Sequence, residues 1–455
     1  MRLALSQIAQ ICGIEPPASD VEISGICVDS RQAAEGDLFC AVIGERMDGH
    51  DYIEAAAANG AKAALASKEI DAPLPMLRVD DVRSALAAIA AHIRSGFTGP
   101  VIGVTGSMGK TTVKEFIAAG LDSQGRVLKS EGNQNTEFGL PMTWIRLEPE
   151  HKYAVLEMGM RGRGQIAHLA SFSCPTVGVI TALGSAHVGE LGSLQAIAEA
   201  KSELLSALPE EGLAVIPSEG QFDDVLRAAA KCRVATFGNG PGAGVRVNKS
   251  VGDTAKNLTA FAVEVKGQTF EGEVPGLGDH QAKNAAAAIA VFAGLGLPLD
   301  ECINFMARAK VPGLRLHAKD FNGATLLIDI YNSSPESCIE SLRVLASTPT
   351  EGSRVAILGD MLELGGCTER AHREIGAEAS RLRLDRLSLV GRAVHWTREE
   401  AIKLGFEGRI DHYGSAEEAA RAIAALEPGD VLLIKGSRGM ELEKTLAAAG
   451  VPIDG

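Results

Sequence analysis

The segment Gly106-Ser107-Met108-Gly109-Lys110-Thr111-Thr112 follows an apolar run, Val101 to Thr105, and opens a helix-forming stretch, Thr111 to Leu121. Backbone amides of such a loop, a lysine ammonium and the positive end of the next helix together cradle phosphate, and a threonine hydroxyl there can ligate Mg2+. In the longer Gly-x-x-x-x-Gly-Lys form the first glycine would fall at Val104, so the reading rests on the Gly-x-x-Gly-Lys-Thr core and its strand, loop and helix context. The alternative is a glycine-rich turn with a solvated lysine. Glu157 closes a second apolar run, Tyr153 to Leu156, and His187 follows a third in Ile180-Thr181-Ala182-Leu183-Gly184-Ser185-Ala186-His187. Both sit at carboxyl edges of strands, where open α/β sheets bind ligands. Glu157 could hold Mg2+ there or be a solvated or capping group, and His187 has a structural reading beside its functional one. Lys201 in Ile197–Glu203 reads by itself as a solvated lysine beside glutamates. Asn284 reads as a cap-region amide and Arg315 as a surface cation.

The elements that must position these residues alternate strand and helix. Apolar runs at 101–105, 153–158, 177–181 and 213–216, spaced by helix-length segments, predict a mostly parallel, covered sheet. Leu258–Val265 and Gln268–Val274 flank Lys266-Gly267 and predict a hairpin beyond that sheet, followed by a helix over Asp279–Phe292. After Pro312-Gly313 a second series follows, at 325–329, 354–358, 387–390, 411–413 and 430–434, as in a Rossmann-like domain. The first 97 residues mix short strands, such as Asp37–Ile43, with alanine-rich helices. The expectation is an α/β chain of three domains, 1–97, 98–310 and 311–455.

Composition narrows the function. The chain has 455 residues, 46% hydrophobic and 22% charged, and a net charge of −14, so it folds and offers no broad basic surface for nucleic acid. Its longest uncharged apolar stretch, Ala285 to Leu299, falls short of the roughly 20 residues a bilayer span needs. Polar Ser6, Gln7 and Gln10 interrupt any signal-like apolar region. Eight cysteines without a Cys-x-x-Cys pair suggest neither a zinc knuckle nor a disulfide framework. The cytoplasm is the default compartment and a monomer the default state.

Taken in order, these pieces resemble the Mur ligases, ATP-dependent enzymes that build the peptidoglycan stem peptide. The likeness spans nearly the whole chain. Its N-terminal pattern is Asp29-Ser30-Arg31, Gly36-Asp37-Leu38-Phe39 and Asp48-Gly49-His50. The central pattern is Thr105 to Thr112, Glu157-Met158-Gly159-Met160, His187 and Ala200-Lys201-Ser202-Glu203. The C-terminal pattern is Asp329-Ile330-Tyr331-Asn332, Leu358-Gly359-Asp360-Met361-Leu362-Glu363-Leu364-Gly365 and Lys435-Gly436-Ser437-Arg438. The last two point to the family member whose acceptor is D-alanyl-D-alanine.

The resemblance implies a small N-terminal α/β domain for the UDP end of a muramyl-tripeptide, a central P-loop-type domain for ATP, and a C-terminal Rossmann-like domain that receives the dipeptide. It implies Lys110, Glu157, His187 and Lys201 as catalytic, and Gly106, Ser107, Met108, Gly109, Lys110, Thr111, Thr112, Asn284, Arg315 and Asp329 around ATP. Thr111, Glu157, His187 and a carbamylated Lys201 would hold Mg2+. UDP-N-acetylmuramoyl-tripeptide and D-alanyl-D-alanine would meet Ser30, Arg31, Asp48, Gly49, His50, Asn133, Asn135, Tyr331, Asn332, Lys435, Ser437 and Arg438. The chain departs from its relatives in Asn133-Gln134-Asn135-Thr136, where they usually carry Asn-x-Asn-Asn, and in Gln165, where they carry glutamate. A sibling amide ligase, such as folylpolyglutamate synthase, and a nucleotide-binding regulator without ligation are the competing readings; a P-loop kinase leaves the third domain unexplained.

Overall fold

The computed structural model describes residues 2–44, 47–186, 188–311 and 314–452. Among them, three parallel or mostly parallel sheets follow one another along the chain. The central sheet has nine strands, in the order Gln268–Pro275, Leu258–Val265, Val245–Asp253, Arg233–Gly238, Leu213–Pro217, Val177–Ile180, Val101–Thr105, Tyr153–Glu157 and Val127–Lys129. The strands from Arg233–Gly238 to Val127–Lys129 pair in parallel, and the last two pairings at the other end are antiparallel. Alternate side chains face opposite layers, as a pleated strand requires. Ile102, Val104, Val155 and Val179 pack with the Lys110–Asp122 and Asp279–Gly294 helices, whereas Leu156, Ile180 and Ala214 pack with Ile166 and Leu204 of the opposite layer.

The hairpin expected beyond the main sheet is instead continuous with it. Val245–Asp253 bridges the two by pairing Val245 and Arg246 with Phe237 and Gly238 on one side and the whole of Leu258–Val265 on the other. That bridging strand is largely polar and half-exposed, which hid it from an apolar-run reading. The strand expected over Asp37–Ile43 ends at Cys40, and Ile43 keeps only an isolated bridge to Asp48.

Two glycines in the central strands let a helix lie unusually close. A Cβ on Gly103 would stand 2.9 Å from Leu204 Cδ1, and one on Gly178 3.2 Å from Leu204 Cγ. The Leu194–Ser206 helix, which carries Lys201, therefore settles directly on the sheet. Ser193 caps it by accepting from the Ala196 amide at 3.1 Å. Facing the other layer, Phe292 is fully buried where a Gly120 Cβ would be 2.3 Å from its ring.

The N-terminal sheet holds Gly25–Cys27, Asp37–Cys40, Ala63–Ala66 and Met76–Arg78, all parallel. Its Val82–Ser95 helix, capped by Asp81, reaches the central domain through Arg94, which donates to the Ser173 and Cys174 carbonyls at 2.9 and 3.1 Å. The C-terminal sheet runs His317–Phe321, Ala324–Asp329, Val431–Lys435, Arg354–Gly359, Arg386–Val390 and Arg409–Tyr413, five parallel strands with one antiparallel edge. Asn257 clamps that edge to the central hairpin, donating to the Ala318 carbonyl at 2.7 Å and accepting from the Ala318 amide. Among the described residues no helix is long and apolar enough to cross a membrane.

Phe292→Ala is expected to lower stability by about 3–5 kcal/mol, because the ring fills space that the alanine-rich helix and Gly120 cannot close. Urea unfolding checks this; a loss under about 1 kcal/mol would mean the packing collapses around the gap.

Candidate active site

The phosphate-type loop is held by its neighbours rather than by its own turn alone. Thr181 Oγ1 donates to the Met108 carbonyl at 2.5 Å, and the Thr181 amide donates to the Thr105 carbonyl at 2.9 Å. The Ser107 amide donates to the Ala182 carbonyl at 2.7 Å and the Ser107 hydroxyl to the Gly184 carbonyl at 3.0 Å. Gly106 has no room for a side chain, since a Cβ would lie 1.9 Å from Thr181 Oγ1. Gly109, the N-cap of the Lys110–Asp122 helix, has φ +77°, and its Cβ would press on the Asn284 amide at 2.7 Å. Asn284 thus abuts the loop instead of serving as a cap. Lys110 is half-buried and donates back to the Gly106 carbonyl at 2.9 Å. Burial, opposed by Glu157 and reinforced by Arg315, pushes its ammonium below the usual lysine range.

Glu157 ends its strand 3% exposed. One carboxylate oxygen accepts from Asn135 Nδ2 at 2.9 Å, and Oε2 is buried with no hydrogen-bond partner among the described residues. A buried carboxylate oxygen left open is costly unless something cationic meets it. Its backbone is fixed by residues the sequence reading passed over. The Glu157 amide donates to Ser130 Oγ at 2.9 Å, and fully buried Lys114 donates to the Ser130 carbonyl at 2.8 Å while pairing with Glu115 at 2.8 Å. Glu115 also holds Lys129. The available signal was a Lys-Glu pair among Val113, Phe116 and Ile117 on a helix face that must be buried.

Lys201 is 1% exposed and has no carboxylate partner among the described residues, so the expectation of a solvated, glutamate-paired lysine fails. Glu199 pairs with Arg163, and Glu203 accepts the Gly164 and Ala167 amides instead. Burial first, and the Lys110 charge second, hold the Lys201 amine well below the lysine range. His187 lies outside the described residues.

A cavity of about 600 Å³ joins this region to the C-terminal domain. Ser107 to Thr112, Asn135, Glu157 and Asn284 line it from one side, and Arg315, Asp329, Tyr331, Asn332 and Lys435 from the other. Arg315 is half-buried rather than a surface cation. It donates to Thr111 Oγ1 at 3.2 Å and lies 3.7 Å over the Tyr331 ring, with its Nε unpartnered among the described residues. Asp329 and Lys435 pair at 2.6 Å, and the Lys435 ammonium also donates to the Asn332 carbonyl at 3.0 Å, so both groups shape the wall. Ser437 is buried and accepts from the Leu362 amide at 2.9 Å; exposed Arg438 pairs with Glu443. Neither lines the cavity. Glu336 and Ser185, also unmentioned by the sequence reading, meet here across the two domains.

Ser30, Arg31, Asp48, Gly49 and His50 lie in the N-terminal domain, outside this cavity. The buried His50 ring is satisfied internally, 2.5 Å from Asp48 through Nδ1 and accepting from the Ser67 amide at 3.1 Å through Nε2. Its geometry braces the loop, while Arg31, paired to Asp29, is open to solvent. Asn133 is exposed and its carbonyl accepts the Asn135 amide at 2.7 Å.

A lysine whose folded-state pKa is depressed binds its proton more readily when unfolded, so it weakens the fold below the ordinary lysine range of about 10.4. Lys201→Met in carbon dioxide-free buffer is therefore expected to raise the urea midpoint at pH 7, with the gap to wild type shrinking as pH climbs toward that range. An unchanged or lower midpoint would contradict an unpaired, buried amine.

Three family models match consecutive parts of the chain: Mur ligase family, catalytic domain, over 22–94; Mur ligase middle domain, over 104–292; and Mur ligase, glutamate ligase domain, over 314–438. The UDP-N-acetylmuramoyl-tripeptide–D-alanyl-D-alanine ligase of Bacillus subtilis (strain 168) is 34% identical over 94% of this chain and 93% of its own. A crystal structure of MurF from Acinetobacter baumannii superposes with a TM-score of 0.89 at 30% identity, covering 98% of each chain. MurF ligase from Thermotoga maritima in complex with ADP gives 0.81 at 30% identity, covering 93% of this chain and 96% of that one. Three family models in succession and this likeness along the full length mean that the chain belongs to the Mur ligase family.

Proposed function

We propose that the chain is an ATP-dependent amide ligase that joins D-alanyl-D-alanine to UDP-N-acetylmuramoyl-tripeptide, giving the UDP-linked pentapeptide, ADP and phosphate. The observation that carries this reading is the shared cavity, where a phosphate loop from one domain faces Arg315, Tyr331 and Asn332 from another. A carboxylate is a poor acyl donor. Transfer of the γ-phosphoryl group of ATP to the tripeptide's terminal carboxylate gives an acyl phosphate; the dipeptide amine then attacks that carbonyl, the C–O bond to phosphate breaks, and the amine proton is lost to solvent or base.

Lys110 and the loop amides hold the phosphates, Asn284 lies where it can meet the nucleotide, and Arg315 adds positive charge from the C-terminal side. Mg2+, when bound, neutralises charge on the transferring phosphoryl oxygens. The open Oε2 of Glu157 and the hydroxyl of Thr111 suit it, with His187 as a third ligand. An ammonium cannot ligate a metal, but the unprotonated form of the Lys201 amine, which burial favours, can add to carbon dioxide, forming an N–C bond and releasing a proton, which gives a carbamate oxygen ligand. The N-terminal domain would take the UDP end through its open Arg31 side, with Ser30, Asp48, Gly49 and His50 shaping that surface. Asn135, Tyr331 and Asn332 would face the peptide, and Lys435 would set the wall behind it, with Ser437 and Arg438 outside that wall. A cytoplasmic monomer suits a reaction fed by ATP and a nucleotide-linked substrate.

Phosphate release is expected only with both co-substrates present, together with a mass equal to tripeptide plus dipeptide less water. Lys110→Ala is expected to abolish this turnover. Lys201→Ala is expected to lose most of it and recover part with a short carboxylic acid added. Release with the tripeptide and a single amino acid instead would favour a sibling ligase, and lack of rescue would remove the carbamate.

A further inference from the structure

The C-terminal domain grips the central domain's chain on both sides of position 187. Ahead of it, the Glu336 carboxylate accepts from the Ser185 amide at 2.8 Å and from the Ser185 hydroxyl at 3.1 Å. Glycine at 184 allows this approach, since a Cβ there would lie 2.9 Å from the Glu336 carboxyl carbon. Beyond it, the Gly189 amide donates to the Glu363 carbonyl at 3.3 Å. A Cβ on Gly189 would meet that oxygen at 2.8 Å and the Gly365 nitrogen at 2.9 Å, both backbone atoms that cannot swing aside.

The same segment is bonded to the phosphate loop, through Ser107 on the Ala182 and Gly184 carbonyls. A continuous chain of contacts therefore runs from the C-terminal domain, through Glu336, Ser185 and Gly184, to Ser107. Glu336 is suited to anchor it. It sits in the first turn of the Pro335–Ser347 helix, behind a Ser334 cap, where the helix's positive end favours a carboxylate.

We propose that Glu336 is a positioning residue for the ligation: it acts through Ser185 to fix residues 181–186 against the phosphate loop, so that this wall of the site is complete only with the C-terminal domain docked. The proposal rests on the ligase reading above. Its chemical use is timing. Phosphoryl transfer before the acceptor domain arrives would leave an acyl phosphate to water, and a wall completed by docking suppresses that loss.

Turnover with UDP-muramyl-tripeptide and D-alanyl-D-alanine is compared for wild type, Glu336→Gln, Ser185→Ala, the double variant and Gly189→Ala. Glu336→Gln is expected to lower kcat about tenfold while the KM for ATP stays within about twofold, and to release more phosphate per peptide bond formed. The double variant is expected to add little to the worse single one, because both remove one contact. Gly189→Ala, which wedges the second grip without touching Glu336, is expected to give the same kcat-against-KM split. An unchanged kcat, or losses that multiply in the double variant, would overturn the proposal. Wild-type protein that makes no pentapeptide would sink the ligase reading instead. The grip is then read by energy transfer between dyes on the central and C-terminal domains in Mg·ATP. A smaller docked fraction in Glu336→Gln supports it, and an identical distribution refutes it.

Discussion

The Lys110 charge is felt at the buried Lys201 amine, and Arg315 adds a second cation beside Lys110 from the neighbouring domain. That arrangement is unstable by itself. Glu157 is the carboxylate that answers Lys110, and one of its oxygens is still open. Asp329, on the C-terminal wall, is already taken by Lys435 and Ser341. A site where Lys110 and Arg315 face one unfilled carboxylate oxygen beside a loop of backbone donors is complementary to a polyphosphate with its divalent cation. Much of the architecture serves to keep those groups together without that ligand.

The supports are layered. Gly103 and Gly178 bring the Lys201 helix onto the sheet, which withdraws its amine from water. On the opposite layer, Lys114 and Glu115 form a buried pair whose role is to hold Ser130 and, through it, the Glu157 backbone. Thr181 braces the phosphate loop from the next strand, and the segment after Thr181 is gripped by the C-terminal domain at Ser185 and Gly189. Loop, metal-ligand candidate and C-terminal domain are therefore mechanically linked through short stretches of backbone. Asn257, clamping Ala318 on the opposite side of the linker, gives that docking a fixed point.

The buried strands were legible because parallel strands covered on both faces read as unbroken apolar runs, and Val101–Thr105 and Val177–Ile180 are such runs. The bridging strand Val245–Asp253 was not, because its side chains alternate with solvent and carry charge. The strand, glycine-rich loop and helix around Lys110 were readable from spacing. Lys201 was not readable from residue type at all: its neighbouring glutamates suggest a solvated pair, and only the helix's close seat on Gly103 and Gly178 turns it inward. For Arg315 the sequence offered a loop cation, and its contact with Thr111 depends on how two domains dock, which no local pattern encodes. The reverse holds for His50 and Lys435, whose motifs point to substrate but whose polar atoms are engaged within the protein. Ser130, Glu336 and Ser185 act through backbone contacts and leave almost no trace in residue type.

Polyphosphate is the counter-charge that Lys110 requires. Calorimetric titration of wild type and Lys110→Ala with Mg·ATP tests it most directly. One nucleotide per wild-type chain, and affinity about 10- to 100-fold weaker in Lys110→Ala as expected for removing a buried charged hydrogen bond, is the predicted result. Equal affinity in the two proteins, or no binding to the wild type, would contradict it.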